Sequence, residues 1–430
     1  MRAASPILFF LLLAAVSPPR TLEPSEAQGL VDVISARVEA IRGLKFERPV
    51  PVKVVSHAAA HEYVIRRLGR FASKEQIAVQ ERAHAILGLL PPGTSMLDEY
   101  AKAVEEAAAG FYDPERKEFF LLDDLPAGAG AILAAHELTH ALEDQYYDID
   151  ARLERAREDD DLGFAVMAVH EGSASLLMAV YVFRGLREGW IEQKELESVA
   201  ASEAVQNDKM ATLRTFLRRP LLGAYVLGSR FLVRGRIEGL GSEGYPMEDV
   251  NRCYRDGPAS SEQILHPEKF WDPSRRDDPR PVVLPDGEAL LGDGWKCAGE
   301  GTLGELLLGP LVGAPTPETW TQEAIRGEGW SNEAASGWDG DLWGLWTRGK
   351  EAVVLLETVW DTAEDARQFA SALPASLVWK REGDQVAVIA GDLKRVNARR
   401  VLRGMLRLSG SATTPGSSRC GRSGELHRGC

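Results

Sequence analysis

The stretch AAHELTHALEDQ, residues 134 to 145, constrains the fold more than any other part of the chain. It sets His136 and His140 four residues apart with Glu137 between them, in a chain that has 8 histidines. Side chains four apart lie on one face of an α-helix, so both imidazoles can reach a single ion. Glu137 is turned about 100° from His136, which leaves it beside that ion rather than on it, where a general base for a metal-activated water belongs. Apolar Ile132 to Ala135 precede the histidines, so the helix is expected to be buried. A fold built around it must bring a further ligand from elsewhere in the chain.

The next long helical pattern, DDDLGFAVMAVHEGSASLLMAVYVF, offers one. Asp161 is placed to cap it, and the stripe Phe164, Met167, Ala168, Glu171, Ala174, Met178 has helical spacing with one carboxylate in its middle. A buried carboxylate needs a cation, a hydrogen-bonding partner or a proton, and an ion held by His136 and His140 supplies the first. The small residues Ala168, Gly172, Ser173, Ala174 and Ser175 are expected to let this helix approach the histidine helix closely. His170 is the rival ligand, and the rotation of the helix decides between it and Glu171.

Composition narrows the function classes. The chain has 430 residues, 44% hydrophobic and 7% aromatic, an ordinary globular balance with room for a sizeable core. Its formal charge is -14, from 64 acidic against 50 basic residues, which argues against nucleic acid and against a polybasic membrane patch. The N-terminal MRAASPILFFLLLAAVSPPR has one early arginine, an apolar run from Ile7 to Val16 and then small residues, the layout of a secretory signal peptide over residues 1–22. The expected location is secreted or periplasmic, with no membrane span once the signal is removed. Cys253, Cys297, Cys420 and Cys430 suit an oxidising compartment, and a Cys253–Cys297 disulfide is expected.

Periodicity predicts a helix over 25–43, a strand in VPVKVV at 50–55 and helix-rich sequence over 58–109. A turn at Asp113-Pro114 leads to a strand, Glu118 to Leu122. Helices are predicted at 128–147, 161–185 and 190–217, with Pro220 restarting the chain before another helix through Phe231. Residues 256–300 read as irregular but ordered. Strands at 341–347, 351–360, 376–381 and 385–390, a helix opened by Asp361 or Thr362 and a final helix make a small α+β domain. The expected organisation is a signal peptide (1–22), a metal-bearing domain (23–335), a small α+β domain (336–408) and a disordered tail (409–430), α+β in class overall.

HExxH followed by a glutamate on the next long helix is similar to the gluzincin metallopeptidases, of which thermolysin is the best-known member. More closely, HELTHALEDQYYD, VHEGSAS, GFYDPERKEFFL, SSEQILHPEKF, GWDGDLW and TVWDTAEDARQF resemble a group of bacterial extracytoplasmic proteins with HE(L/Y)THALQDQ and EGDA signatures, over roughly residues 105 to 375. The resemblance implies a mainly helical zincin-like core with a short edge strand and Zn2+ held by His136, His140 and Glu171. It implies Glu137 as general base and hydrolysis of a peptide or protein substrate, with endopeptidase action favoured. Two positions depart from it: Glu143 stands where the group has glutamine, and Ser173 where it has an aspartate. Asp144 is a candidate replacement for that aspartate. A metzincin would need glycine at 143 and histidine at 146, where this chain has Glu143 and Tyr146.

Other residues carry weaker signals. His57 and His61 also stand four apart, but no carboxylate or cysteine pattern accompanies them. Tyr225 and His266 are the candidates for a donor to the transition state. The strand at 118–122 occupies the place of the edge strand that pairs with an extended peptide in gluzincins. Trp338, Trp343, Trp346 and Trp360 read as the core of a small sheet rather than a carbohydrate platform. Two functions compete: an extracytoplasmic zinc peptidase, and a catalytically inactive zinc-containing envelope protein with a structural or peptide-binding role. An intact Glu137 favours the first, since a purely structural ion needs no base beside it.

Overall fold

In the computed structural model, the described residues are 24–56, 58, 59, 62, 63, 66, 67, 73–100, 110–122, 127–197, 211–237, 242, 244–319 and 321–409. The expected signal peptide, His57, His61 and the tail from 410 onward lie outside them. In chain order the principal elements are α1 (Pro24–Arg42), β1 (Val52–Val55), α2 (Lys74–Leu87), β2 (Gly110–Asp113), β3 (Glu118–Leu122), α3 (Ala127–Tyr147), α4 (Ile149–Arg155), α5 (Asp160–Glu188) and α6 (Thr215–Leu232). There follow α7 (Met247–Arg255), α8 (Ser261–Leu265), β4 (Lys296–Gly301), α9 (Gly304–Leu308), β5 (Trp338–Arg348), β6 (Glu351–Trp360), α10 (Ala363–Ala372), β7 (Val378–Glu382), β8 (Gln385–Gly391) and α11 (Ala398–Ser409). The class is α+β.

The long helix α5 owes its limits to its caps. Asp159 accepts from the amides of Asp161 and Leu162, both at 3.1 Å, and Gly189 ends the helix at φ 79. Asp159, not Asp161, is therefore the cap; Asp161 lies within the first turn and takes the Ser261 amide at 3.0 Å. By length and composition α5 is apolar enough to cross a membrane, yet 78% of its most apolar window is buried inside the protein. It is the central helix of the core, packed on α3, α6 and α1.

The first sheet has the order β1-β3-β2, with β1 parallel and β2 antiparallel to β3. The strand at 118–122 is thus central and not an edge, because the alternating stretch before α2 pairs with its outer side. The edge nearest α3 is β2. The second sheet has the order β4-β5-β6-β8-β7, all antiparallel. It recruits Lys296–Gly301 from the segment read as irregular. Its middle strand β6 is buried on both faces: Val354 and Leu356 meet α10 and α2, while Val353 and Leu355 meet α11. Trp338, Trp343 and Trp360 are at most 1% exposed in the first of these layers, so they are core residues.

Three further expectations change. Pro220 lies inside α6, as its sixth residue, instead of restarting the chain, at the cost of one backbone hydrogen bond. The helix expected over 190–217 is not continuous, since Gly189 ends α5 and α6 starts afresh at Thr215. Cys253 is a free thiol, buried on α7 in the helical core, whereas Cys297 belongs to β4 of the second sheet, so the Cys253–Cys297 bond is not made.

Candidate metal centre

The centre lies where α3, α5, α6 and the β2 edge meet. His136 and His140 project from adjacent turns of α3, their rings 4.7 Å apart and nearly perpendicular. Their Nε2 atoms are 3.0 Å apart, and Glu171 Oε2 of α5 lies 3.1 Å from His136 Nε2 and 3.4 Å from His140 Nε2. In a tetrahedral zinc site with bonds of about 2.0–2.1 Å, neighbouring ligand atoms stand about 3.3 Å apart. The three separations straddle that value. Two imidazole nitrogens facing each other this closely repel if both are bare or both protonated, and a cation among them and the carboxylate removes the conflict. The donor set therefore fits a small divalent ion. His136, Glu137 and His140 form a group able to hold a metal.

Electrostatics agree with the geometry. Burial alone would raise the Glu171 pKa, but His140 and His136 beside it hold the carboxyl well below its ordinary range. Burial pulls the His140 imidazole down, and the Glu171 carboxylate overrides it and raises it. Glu137 stands outside the triangle of His136, His140 and Glu171. Its Oε2 accepts the Tyr112 amide of β2 at 2.9 Å, and burial pushes its pKa up, towards a carboxyl that can take and return a proton.

His170 does not point at the triangle. Its ring stacks on His140 at 3.9 Å and its Nδ1 lies 3.2 Å from the Tyr254 hydroxyl, so the rotation of α5 delivers Glu171. Tyr225 comes into the site: its ring packs 5.9 Å from His136, and its hydroxyl bonds Glu171 with Glu137 also close enough to raise it. The other candidate donor, His266, is held by the Glu305 carboxylate at 3.0 and 3.1 Å. Tyr225 owes its place to a glycine crossing. A Cβ on Gly172 would lie 2.3 Å from the Gly228 backbone, and one on Gly228 1.9 Å from the Ala168 carbonyl. Ala168 and Gly172 of α5 thus admit α6 closely, while Ser173 of the same helix meets Glu143 of α3.

The two departures from the resembled signatures are in contact. Ser173 Oγ donates to Glu143 Oε1 at 2.6 Å, and Glu143, fully buried, also accepts from Arg42 Nε at 2.6 Å, Tyr245 at 3.2 Å and Tyr254 at 2.7 Å. Asp144, the candidate replacement, does not join this cluster and faces the β2–β3 hairpin instead. It is buried and takes the Tyr112 hydroxyl at 2.8 Å and Lys117 Nζ at 2.6 Å, which pins the β2–β3 hairpin to α3. Sequence reasoning missed Arg42, Tyr245 and Tyr254. Only Arg42 left a trace, as the basic residue in the last turn of α1.

Residues 294–408, from just before β4 into α11, match a domain of unknown function, DUF8575. That range holds the second sheet and none of the metal-centre residues. No curated protein matches the chain. A solved structure from Chloroflexus aurantiacus, described as that of a candidate hydrolase with a novel fold, is similar at 15% identity and a TM-score of 0.35, covering 59% of this chain and 90% of that one.

Proposed function

We propose that this protein is an extracytoplasmic zinc peptidase of the gluzincin type, with His136, His140 and Glu171 as ligands and Glu137 as general base. The observation that carries the reading is the pairing of a tetrahedrally spaced His-His-Glu triangle with a second carboxyl, Glu137, that adjoins both histidines and is tied to the Tyr112 amide. A purely structural ion would need the first and not the second. Zinc in such a site acts as a Lewis acid that polarises a carbonyl and acidifies a water. Glu137 keeps one oxygen on the Tyr112 amide, so the other is available to accept a proton from water and return it to the leaving amine. The Tyr225 hydroxyl presents a donor beside Glu171 where oxyanion charge develops. The β2 edge runs past Glu137, a position from which main-chain pairing can align an extended peptide.

The test is metal analysis of the purified chain together with a peptide-library digest. One zinc with cleavage supports the peptidase. One zinc without cleavage supports the inactive envelope protein, and absence of bound metal from a folded sample refutes both.

A further inference from the structure

The two histidines are not oriented in the usual way. A metal-binding imidazole commonly donates its second ring nitrogen to a carboxylate or carbonyl, which fixes the ring plane. Here the Nδ1 atoms of His136 and His140 are buried and have no hydrogen-bond partner among the described residues. What restrains the rings is packing against other rings: Tyr225 is stacked on His136, and His170 lies against His140 with the ring planes tilted by 34°. The tighter of these contacts, at 3.9 Å, depends on how firmly His170 itself is held.

His170 is held through a chain of directed hydrogen bonds. Arg42 donates to Glu143 Oε1 in a buried ion pair, in which the carboxylate is the acceptor. The Tyr254 hydroxyl gives its proton to Glu143 Oε2 at 2.7 Å, which leaves its oxygen to accept. His170 Nδ1, 3.2 Å away, must then carry the proton it shares with Tyr254. The tautomer and the plane of His170 are thereby set by a carboxylate that touches neither ion nor substrate. Tyr254 is itself braced by Tyr147, 4.3 Å away and nearly coplanar in stacking at 3°.

We infer that Glu143, Tyr254 and His170 are positioning residues for the metal centre, fixing the His140 ring by stacking in place of a hydrogen bond to its Nδ1. This rests on the metal-centre reading above. It assigns the buried Arg42–Glu143 ion pair a purpose beyond stability, since the pair is the anchor of the chain.

The experiment measures Zn2+ affinity by chelator competition, the d–d absorption of the Co2+-substituted protein, and thermal stability, on the full chain. Tyr254→Phe removes one hydroxyl and keeps the stacked ring, so the variant folds. It should weaken Zn2+ binding by about 10–100-fold and shift the Co2+ bands, the size of effect typical when a ligand loses its orienting partner. Glu143→Gln should do the same. Glu143→Gln with Ser173→Asp, which returns a carboxylate within the 2.6 Å reach of the Ser173 hydroxyl, should recover affinity and spectrum. Zn2+ affinity and Co2+ spectra unchanged in Tyr254→Phe and Glu143→Gln, with only the melting temperature lowered, would overturn the inference and leave the metal centre standing. Failure of the parent to bind Zn2+ or Co2+ would instead remove the metal reading on which the inference rests.

Discussion

Gly228→Ala separates local propensity from packing, because the two predict opposite signs. Within a helix, alanine is favoured over glycine by about 1 kcal/mol, so α6 considered alone should gain from the change. In the structure the new Cβ would stand 1.9 Å from the Ala168 carbonyl oxygen, where ordinary contact begins at 3.4 Å. About 1.5 Å must be found between two backbones that have no side-chain end to swing aside. Overpacking a tight core typically costs about 1–3 kcal/mol and more where backbone must move, so the expected net loss is about 2–4 kcal/mol. For a chain of this size that is a fall of roughly 2–5 °C in melting temperature. The same displacement draws Tyr225 away from Glu171, so turnover should fall further than stability explains. Gly29→Ala is the control: its Cβ meets nothing within 4 Å on exposed α1, and the substitution should stabilise the protein slightly. Denaturant titration and calorimetry measure both. A Gly228→Ala protein as stable as the parent would refute the crossing.

Glu137→Gln should keep zinc content and melting temperature while lowering cleavage by about 10²–10⁴-fold, checked by metal analysis beside a peptide assay; loss of zinc would make Glu137 a ligand. Glu171→Ala should strip the zinc, since two histidines alone would remain, and retention of full zinc content would refute the triangle. Burial pushes Asp341 up to about 7 although it accepts the amides of Leu303 and Gly304 and the Trp338 ring N–H. A carboxyl raised on folding contributes stability that is present below its unfolded pKa and lost as pH rises through its folded one. Asp341→Asn should therefore flatten the decline in stability between roughly pH 4 and 7, as urea titrations across that range would show.

Elements with an unbroken period and a clear cap were legible. Thr362 opens α10, and the strands around β6 follow alternating or wholly apolar runs with turns between them. What escaped depends on partners distant in sequence. Whether Glu118–Leu122 is an edge or a middle strand is decided by Val52–Val55, over sixty positions earlier, whose pairing leaves no mark in either strand. Lys296–Gly301 carries too much glycine and charge to announce a strand, and becomes one by pairing with β5. Pro220 was read as a break because interior proline usually is one; the packing of α6 on α5 holds the helix through it.

The metal centre divides along the same line. His136, Glu137 and His140 lie within one helical turn and a half, so their juxtaposition follows from the period alone, and the carboxylate stripe on the next helix singles out Glu171. Glu143 and Ser173 are thirty positions apart, and each considered singly is a loss: a carboxylate where an amide was expected, a hydroxyl where a carboxylate was expected. At 2.6 Å they are one exchange. Arg42 is fully buried, and a buried guanidinium demands a negative charge within reach but does not specify from which helix it comes. Glu143 of α3 supplies that charge and, through the Tyr254 hydroxyl, is linked to the residue that packs on His140. An argument made position by position therefore overstates the damage that two departures do to a site, because the constraint acts on the charge of the cluster and not on the identity of either residue.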